Sequence, residues 1–409
     1  MKLAFYHNVP FGGAMRVLWE YVRRLAGRHE ITLFHPELVR ERPDIYGFQP
    51  APAAGFDWDA HVRRHHRFPD PRGSFPRVGS GRLNLLFRSL DLPFLERASR
   101  WMAAEIDAGG FDAVFVNPCR LTQAPLLLRH LKTPTVYYCA EPSRLVFERR
   151  LAALEAGRAP GARLALRRLF LAPLECADVS NARAARIVLA HSLYTANQIR
   201  LAYGLEPVLQ YLGVDTDVYR PLERPRQRRV VSVSAIGANK DQLFLVRALA
   251  AIPAPQRPPV VFAYSRFDPA YLEELKREAA AAGVTLELRQ GDDDAAVVEL
   301  YASSRVAACT PVREPFGLIP LEAMACGTPV AGVAEGGLLE TIEHGVNGLL
   351  TPRDPEAFAA ALLTLLDSAS ERERLSQAGL AAVRGRWSWD ASAARLESEL
   401  ARAAAMPRR

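Results

Sequence analysis

The sequence lacks any CxxC pair, and its five cysteines, Cys119, Cys139, Cys176, Cys309 and Cys326, are odd in number and scattered along the chain. That argues against a disulfide framework or a cysteine-rich zinc site and leaves reduced, structural thiols. No apolar run approaches the roughly 20 residues needed to cross a bilayer. The amino terminus, MKLAFYHNVPFGG, has neither the long apolar core nor the small-residue cleavage site of a signal peptide, so a cytoplasmic protein is expected. No GxGxxG follows the first strand with an acidic residue about 20 positions on, which argues against a dinucleotide oxidoreductase.

What is present is enough for two ordinary α/β cores: 409 residues, 49% of them apolar. Charge is uneven. Residues 1–220 carry 30 Lys and Arg against 21 Asp and Glu, and the remainder 22 against 24, so the front half is about +9 and the back half about −2. A basic front half suits an anionic partner such as a membrane surface, a phosphorylated lipid or a nucleic acid. It equally suits a solvated, arginine-rich surface. No recognised nucleic-acid module accompanies the charge, so no nucleic-acid partner is expected.

Alternation of short apolar runs with amphipathic stretches sets the organisation. LAFYH at Leu3–His7 runs into the glycine loop at Gly12 and Gly13 and then into AMRVLWEYVRRLA, a β-loop-α unit. ITLFH from Ile31, AVFVN from Ala113, TVYYC from Thr135 and RIVLAHS from Arg186 read as further buried strands. Residues 36–100, rich in Pro, Gly, Arg and His, break the rhythm and are expected to form loops and short helices. A linker follows at Tyr219–Arg229, with Pro221, Pro225 and five arginines. The alternation then restarts with strands from Val230, Val260, Thr285, Val306 and Pro329, separated by helical patterns. The expected architecture is α/β, with two Rossmann-like parallel-sheet domains facing each other across a cleft. The first spans 1–220 and is completed by a closing helix over about 387–409; the second spans 221–386.

The most specific stretch is Thr310–Gly332, TPVREPFGLIPLEAMACGTPVAG. A strand ends at Cys309, a tight loop carries Glu314 and Gly317, and a helix opens near Leu318 with Pro320 in its first turn. Unpaired amides and the positive dipole end of such a helix suit a diphosphate. Glu322, eight residues after Glu314, is placed to accept hydrogen bonds from both hydroxyls of a ribose. Glu314, in the loop, is placed to reach a sugar.

This run resembles the EX7E region of the retaining GT-B glycosyltransferases of family 4. PFGGAMR is similar to that family's front loop, HSLYTANQIRLAYG with YLGVDTDVYRP to its end-of-domain passage, and EGGLLETIEHGVNGLLTPRDPEAFAAAL to its closing block. The resemblance spans nearly the whole chain. It implies that Glu314 contacts the donor sugar, that Phe316, Gly317, Leu318 and Ile319 line the sugar and phosphate, and that Glu322 holds the ribose. Gly12 and Gly13 would let the backbone approach diphosphate or acceptor. The family places an arginine and a lysine on the diphosphate within the segment matching SAIGANKD; Lys240 is present, whereas Ser234 and Ala235 stand where the arginine is expected. Ala140, in YYCAEPSR, stands where the family often has a histidine, leaving Glu141 and Arg144 as sugar- or acceptor-side candidates.

The reaction so implied moves a hexosyl unit from a UDP- or GDP-sugar to a saccharide or lipid-linked acceptor, with retained anomeric configuration, no cofactor and no obligatory metal. A nucleotide-sugar epimerase and an idle nucleotide-sugar binding protein are the alternatives on this fold. Asp292, Asp293 and Asp294 precede the helix AVVELYASS and read as helix caps rather than metal ligands. His61, His65 and His66 lie among arginines and read as surface residues. The segments from Arg82 and Arg144, which mix arginine with Leu, Phe and Trp, suit either peripheral membrane contact at the inner face or core-packed helices with basic exteriors.

Overall fold

The structure, a computed structural model, describes residues 1–8, 13–36, 58, 60–62, 64–68, 91–119, 122–148, 162–291 and 293–409. Contacts divide the chain into two units, one of Met1–Arg40, Gly55–Gln210 and Ala393–Arg409, the other built mainly from Tyr211–Ser392.

The sheet of the first unit contains β1 (Lys2–Asn8), β2 (Glu30–Pro36), β3 (Arg64–Phe68), β4 (Ala113–Cys119), β5 (Thr135–Cys139), β6 (Ile187–Ala190) and β7 (Val208–Leu209). Their order is β3-β2-β1-β4-β5-β6-β7, with every pairing parallel. Helices α1 (Gly13–Leu25), α2 (Leu92–Ala108), α3 (Ala162–Arg183) and α4 (Leu193–Tyr203) connect the strands. A parallel sheet covered on both faces needs apolar side chains in both directions. Leu3–Phe5 and Ala113–Val116 are accordingly fully buried, and Phe5 meets Phe115 edge to face at 5.0 Å.

Residues 36–100 differ from expectation, for they contain β3 and the start of α2. β3 pairs with β2 from Thr32 opposite Arg64 to Pro36 opposite Phe68, which places His65 and His66 within a strand. RHHRF lacks apolar alternation because it lies at the sheet edge, where pairing rather than periodicity decides the conformation. His61 packs its ring against Trp19 at 5.2 Å. Asp292 lies outside the described residues, as does Gly12.

Asp178, on α3, is a fully buried carboxyl that accepts from the Ala124 amide and the Tyr203 hydroxyl, each at 2.7 Å. Burial pushes its pKa up to about 7 despite those bonds. A folded-state value raised above the unfolded one gives a contribution that is complete below the ordinary carboxylate range and is lost as pH rises through about 7. Asp178→Asn keeps the acceptor for Ala124 and removes the titration. Between pH 5 and 8 the wild-type melting temperature should therefore fall relative to the variant, by a stability difference on the order of 2–4 kcal/mol. Parallel melting curves over that range would contradict the assignment.

The second unit holds β8 (Gln227–Val233), β9 (Val260–Tyr264), β10 (Leu286–Gln290), β11 (Ser304–Cys309), β12 (Val330–Val333) and β13 (Leu349–Thr351), ordered β10-β9-β8-β11-β12-β13 and all parallel. Its helices are α5 (Gln242–Ala251), α6 (Pro269–Ala281), α7 (Asp294–Ala302), α8 (Leu318–Ala325), α9 (Leu338–Thr341), α10 (Pro355–Asp367) and α11 (Ala369–Arg386). Helix α12 (Trp389–Ala404) begins in this unit and, from Ala393, belongs to the first.

Two boundaries move relative to the sequence expectation. Residues 211–220, expected to end the first domain, belong to the second, because the Val214 amide donates to the Trp387 carbonyl at 3.0 Å and the Tyr219 hydroxyl to Asp294 at 2.9 Å. Residues 387–392, expected in the closing segment of the first domain, stay with the second for the same reason. The arginine-rich linker is likewise anchored: Arg226 donates to the carbonyls of Ser304 and Gly327 at 2.9 and 2.7 Å. Asp293 caps α7 through the Ala296 amide at 2.8 Å, which gives this aspartate the structural role expected of it. Among the described residues no group of three or more His, Cys, Asp or Glu is arranged to hold a metal, and no helix is long and apolar enough to cross a membrane.

Candidate active site

Strand order reverses between β1 and β4 in the first unit and between β8 and β11 in the second. Ligands of open α/β sheets bind outside the carboxyl ends of the strands at such points. In the second unit the two loops leaving β8 and β11 carry the residues singled out from sequence, and a pocket there is lined by Ser234, Lys240, Thr310, Glu314, Gly317 and Ile319 among others. Lys240 Nζ lies 2.6 Å from Glu314 Oε2, both side chains about one-fifth exposed. A cation able to meet a diphosphate and a carboxylate able to orient a sugar thus share one crevice.

Helix α8 opens beside this pair at Gly317, whose φ of +103° favours glycine, and no side chain caps it. Helices α4, α5, α6, α7, α10 and α11 each begin with a Ser or Asp side chain accepting from the first turn. Uncapped first-turn amides leave hydrogen-bonding capacity and positive potential for an anion. A Cβ at Gly317 would come within 2.9 Å of Leu338, so the helix start fits closely under α9. Phe316 is buried, its ring 5.5 Å from Trp387 and 6.4 Å from Tyr211, and anchors the loop instead of presenting its ring to a ligand. Leu318 is the first residue of α8. Glu322, half-buried one turn along α8, is near enough for its charge to raise the pKa values of Tyr301, Cys309 and Cys326 further, although burial is the main cause and takes Cys326 up to about 12.

Gln242 organises the segment in which the family's arginine is absent. Its side chain donates to Ser234 Oγ at 2.9 Å and to the Ala235 carbonyl at 2.8 Å, and accepts from the Gly237 amide at 3.3 Å.

Sequence reasoning gave no role to Glu335, Gly336, Gly337 and Arg353, which shape this site from the closing block. The Gly337 amide donates to the Glu314 carbonyl at 2.7 Å, and a Cβ at Gly336 would sit 2.4 Å from that same oxygen. Arg353 donates to both oxygens of Glu335 at 2.8 and 2.9 Å, to Asp241 Oδ2 at 2.9 Å, and to the carbonyls of Thr310 and Pro311 at 3.0 and 2.9 Å. Burial opposes ionisation at both ends, yet the pairing holds Glu335 below the usual carboxylate range and raises Arg353 further. The double glycine was a readable signal; Arg353 was not.

In the first unit Gly13 opens α1 with open space among the described residues where a Cβ would stand, so internal packing does not require glycine there. Glu141 and Arg144 pair with each other at 2.6 Å beyond the end of β5. Asn8 and Asn117, towards the ends of β1 and β4, were not anticipated; both are buried, and their Oδ1 atoms have no hydrogen-bond partner among the described residues. Such atoms call for a water or a ligand hydroxyl. A separate groove along α3 lined by Arg129, Arg183 and Arg409 has two of those arginines committed, Arg129 to Glu96 at 2.7 Å and Arg183 to the Tyr203 carbonyl at 2.8 Å.

Fold and site together define a two-domain Rossmann-like protein whose second unit holds Lys240 and Glu314 in a crevice at the strand-order reversal. Residues 216–381, which lie within the second unit, match the family model described as Glycosyl transferases group 1. The chain is 33% identical over 237 residues to a D-inositol 3-phosphate glycosyltransferase of Geodermatophilus obscurus, covering 51% of this chain and 50% of the relative. It is 24% identical over 333 residues to the Alpha-1,3/1,6-mannosyltransferase ALG2 of Rhizomucor pusillus, covering 70% of each. The chain spans between 25% and 55% of the length of the inositol-phosphate relatives it matches. Anabaena Alr3699/HepE, solved in complex with UDP and glucose, superposes with a TM-score of 0.70 at 20% identity over 98% of this chain and 99% of that one. The fold is that of the GT-B glycosyltransferases, with each unit a Rossmann-like parallel sheet.

Proposed function

We propose that the chain is a retaining hexosyltransferase that takes its sugar from a UDP- or GDP-sugar and passes it to a saccharide or lipid-linked acceptor in cell-surface glycan or glycolipid synthesis. The observation that carries this reading is the Lys240–Glu314 pair at the β8/β11 crevice, beside the uncapped start of α8. Lys240 and the amides at Gly317 and Leu318 stabilise the negative charge that develops on the departing diphosphate. Glu314 orients the sugar, and Glu322 holds the ribose. The acceptor hydroxyl attacks on the face the diphosphate leaves. No metal is required, because protein cations and helix amides meet the leaving-group charge. The nucleotide and sugar in the Anabaena structure, and the sugar-transfer names of the curated relatives, support the donor class. The protein works in the cytoplasm, and α2, whose exposed face includes Phe94, Arg97, Arg100 and Trp101, supports peripheral contact with the inner face of the membrane.

The test is a panel of UDP-, GDP- and ADP-sugars, each offered with saccharide and lipid-linked acceptors beside water alone, with and without EDTA, followed by thermal shift and nucleotide release. One donor should raise the melting temperature and release nucleotide equally well in EDTA. Glu322→Ala should weaken that donor by about 10- to 100-fold, the loss of charge-assisted hydrogen bonds to a ribose. If none of the donors binds, the site assignment fails; binding without release would make the chain a nucleotide-sugar binding protein.

A further inference from the structure

Among the described residues of the second unit two non-glycine residues have left-handed backbone, and each is the chain neighbour of one member of the Lys240–Glu314 pair. Asp241, at φ 48°, follows Lys240, and Arg313, at φ 50°, precedes Glu314. Such conformations are strained and persist only where surrounding contacts over-determine them. At both places the contacts lead to one guanidinium. Asp241 caps α5, its Oδ1 accepting from the Phe244 amide at 3.2 Å, and its Oδ2 accepts from Arg353 at 2.9 Å. The Arg313 amide donates to Glu335 Oε2 at 3.3 Å, and Glu335 is held by Arg353 through both oxygens. The remaining Arg353 bonds go to the carbonyls of Thr310 and Pro311, which begin the Glu314 loop. Two cross-links close the arrangement: the Val312 amide donates to the Asn239 carbonyl at 2.9 Å, and Thr310 Oγ1 to the Lys240 carbonyl at 3.1 Å. The aliphatic-aromatic floor is supplied by Phe244, whose ring lies 5.3 Å from the guanidinium carbon.

We propose that Arg353, acting with Glu335, is a positioning residue that locks the two strained turns and so fixes Lys240 and Glu314 at the separation transfer requires. Only a planar fork with donors in several directions can serve two carboxylates and two carbonyls at once; a lysine in its place keeps the charge and loses the geometry. Glu322 and the amides of α8 are outside this network, so nucleotide binding and transfer respond differently when it is broken. The inference rests on the donor-site reading above.

The experiment compares wild type with Arg353→Lys, Arg353→Ala and Glu335→Gln, measuring kcat and KM for the donor, affinity for the nucleoside monophosphate, and melting temperature. Arg353→Lys and Glu335→Gln should each lower kcat by about 10- to 100-fold, the scale of a misplacement near 1 Å, while nucleoside monophosphate affinity changes by less than about threefold. Guanidinium chloride well below denaturing concentration should restore part of the kcat of Arg353→Ala. A purely structural arginine would give kcat and nucleotide affinity falling together with the melting temperature and no rescue, and that result overturns the proposal. So does a kcat within about twofold of wild type in both Arg353→Lys and Glu335→Gln, well inside the expected loss. If wild type turns over none of the donors, the transferase reading fails and the positioning role falls with it.

Discussion

Lys240→Met should lower the turnover number for sugar transfer by about 10²- to 10³-fold, with a much smaller change in donor KM, if the lysine meets charge that grows as the diphosphate departs. The size of the effect follows from place as well as chemistry. Lys240 and Glu314 are each about four-fifths shielded from water, so a cation there acts through little intervening solvent. The resemblance to family 4 leads one to expect an arginine to share the work, but Ser234 and Ala235 occupy that segment, so more of the burden falls on Lys240. Lys240→Arg should recover part of the rate. A turnover number within tenfold of wild type for Lys240→Met would remove the lysine from the chemistry.

Gly336→Ala is expected to abolish most transfer and to destabilise the second unit by about 2–4 kcal/mol, the sum of a left-handed alanine and an overpacked contact. Gly336 has φ +60°, and an added Cβ would lie 2.4 Å from the Glu314 carbonyl and 3.0 Å from the Arg313 carbonyl carbon. Neither is the end of a flexible side chain, so the loop carrying Glu314 must shift. Thermal denaturation and donor turnover measured on the same preparation decide the matter; an unshifted melting temperature with normal turnover would mean that the loop yields without cost.

The second domain was legible because its physics is local. Strands such as Val260–Tyr264, buried on both faces, read as continuous apolar runs, and the loop-to-helix passage at Glu314–Glu322 concentrates its signal in nine consecutive residues. β3 was not legible, since RHHRF owes its extended form to β2 rather than to its own pattern. The boundary near residue 220 misled for a related reason: prolines and arginines suggested a loose connector, whereas Val214 and Tyr219 are held by residues much later in the chain. Arg353 meets Asp241 across 112 residues, and nothing in either segment announces the other. Asp178 was passed over because a single aspartate in an arginine-rich helix reads as a surface charge, and only burial reveals it as a titrating group.

Helix α12 sets an order on synthesis. The first unit includes residues from Ala393 onward, where Glu397 meets His29 at 2.7 Å, Arg408 donates to the Phe111 carbonyl at 2.8 Å and the Arg409 amide to the Lys132 carbonyl at 3.1 Å. A ribosome makes all of the second sheet before it releases those residues. The front unit therefore waits, unfinished, through the translation of its neighbour, with the seat for Leu396, Leu400 and Ala403 uncovered until the second sheet has been made. A fragment ending at Gln210 would keep that seat open permanently and should be prone to aggregation, so the two sheets are bound to a single schedule.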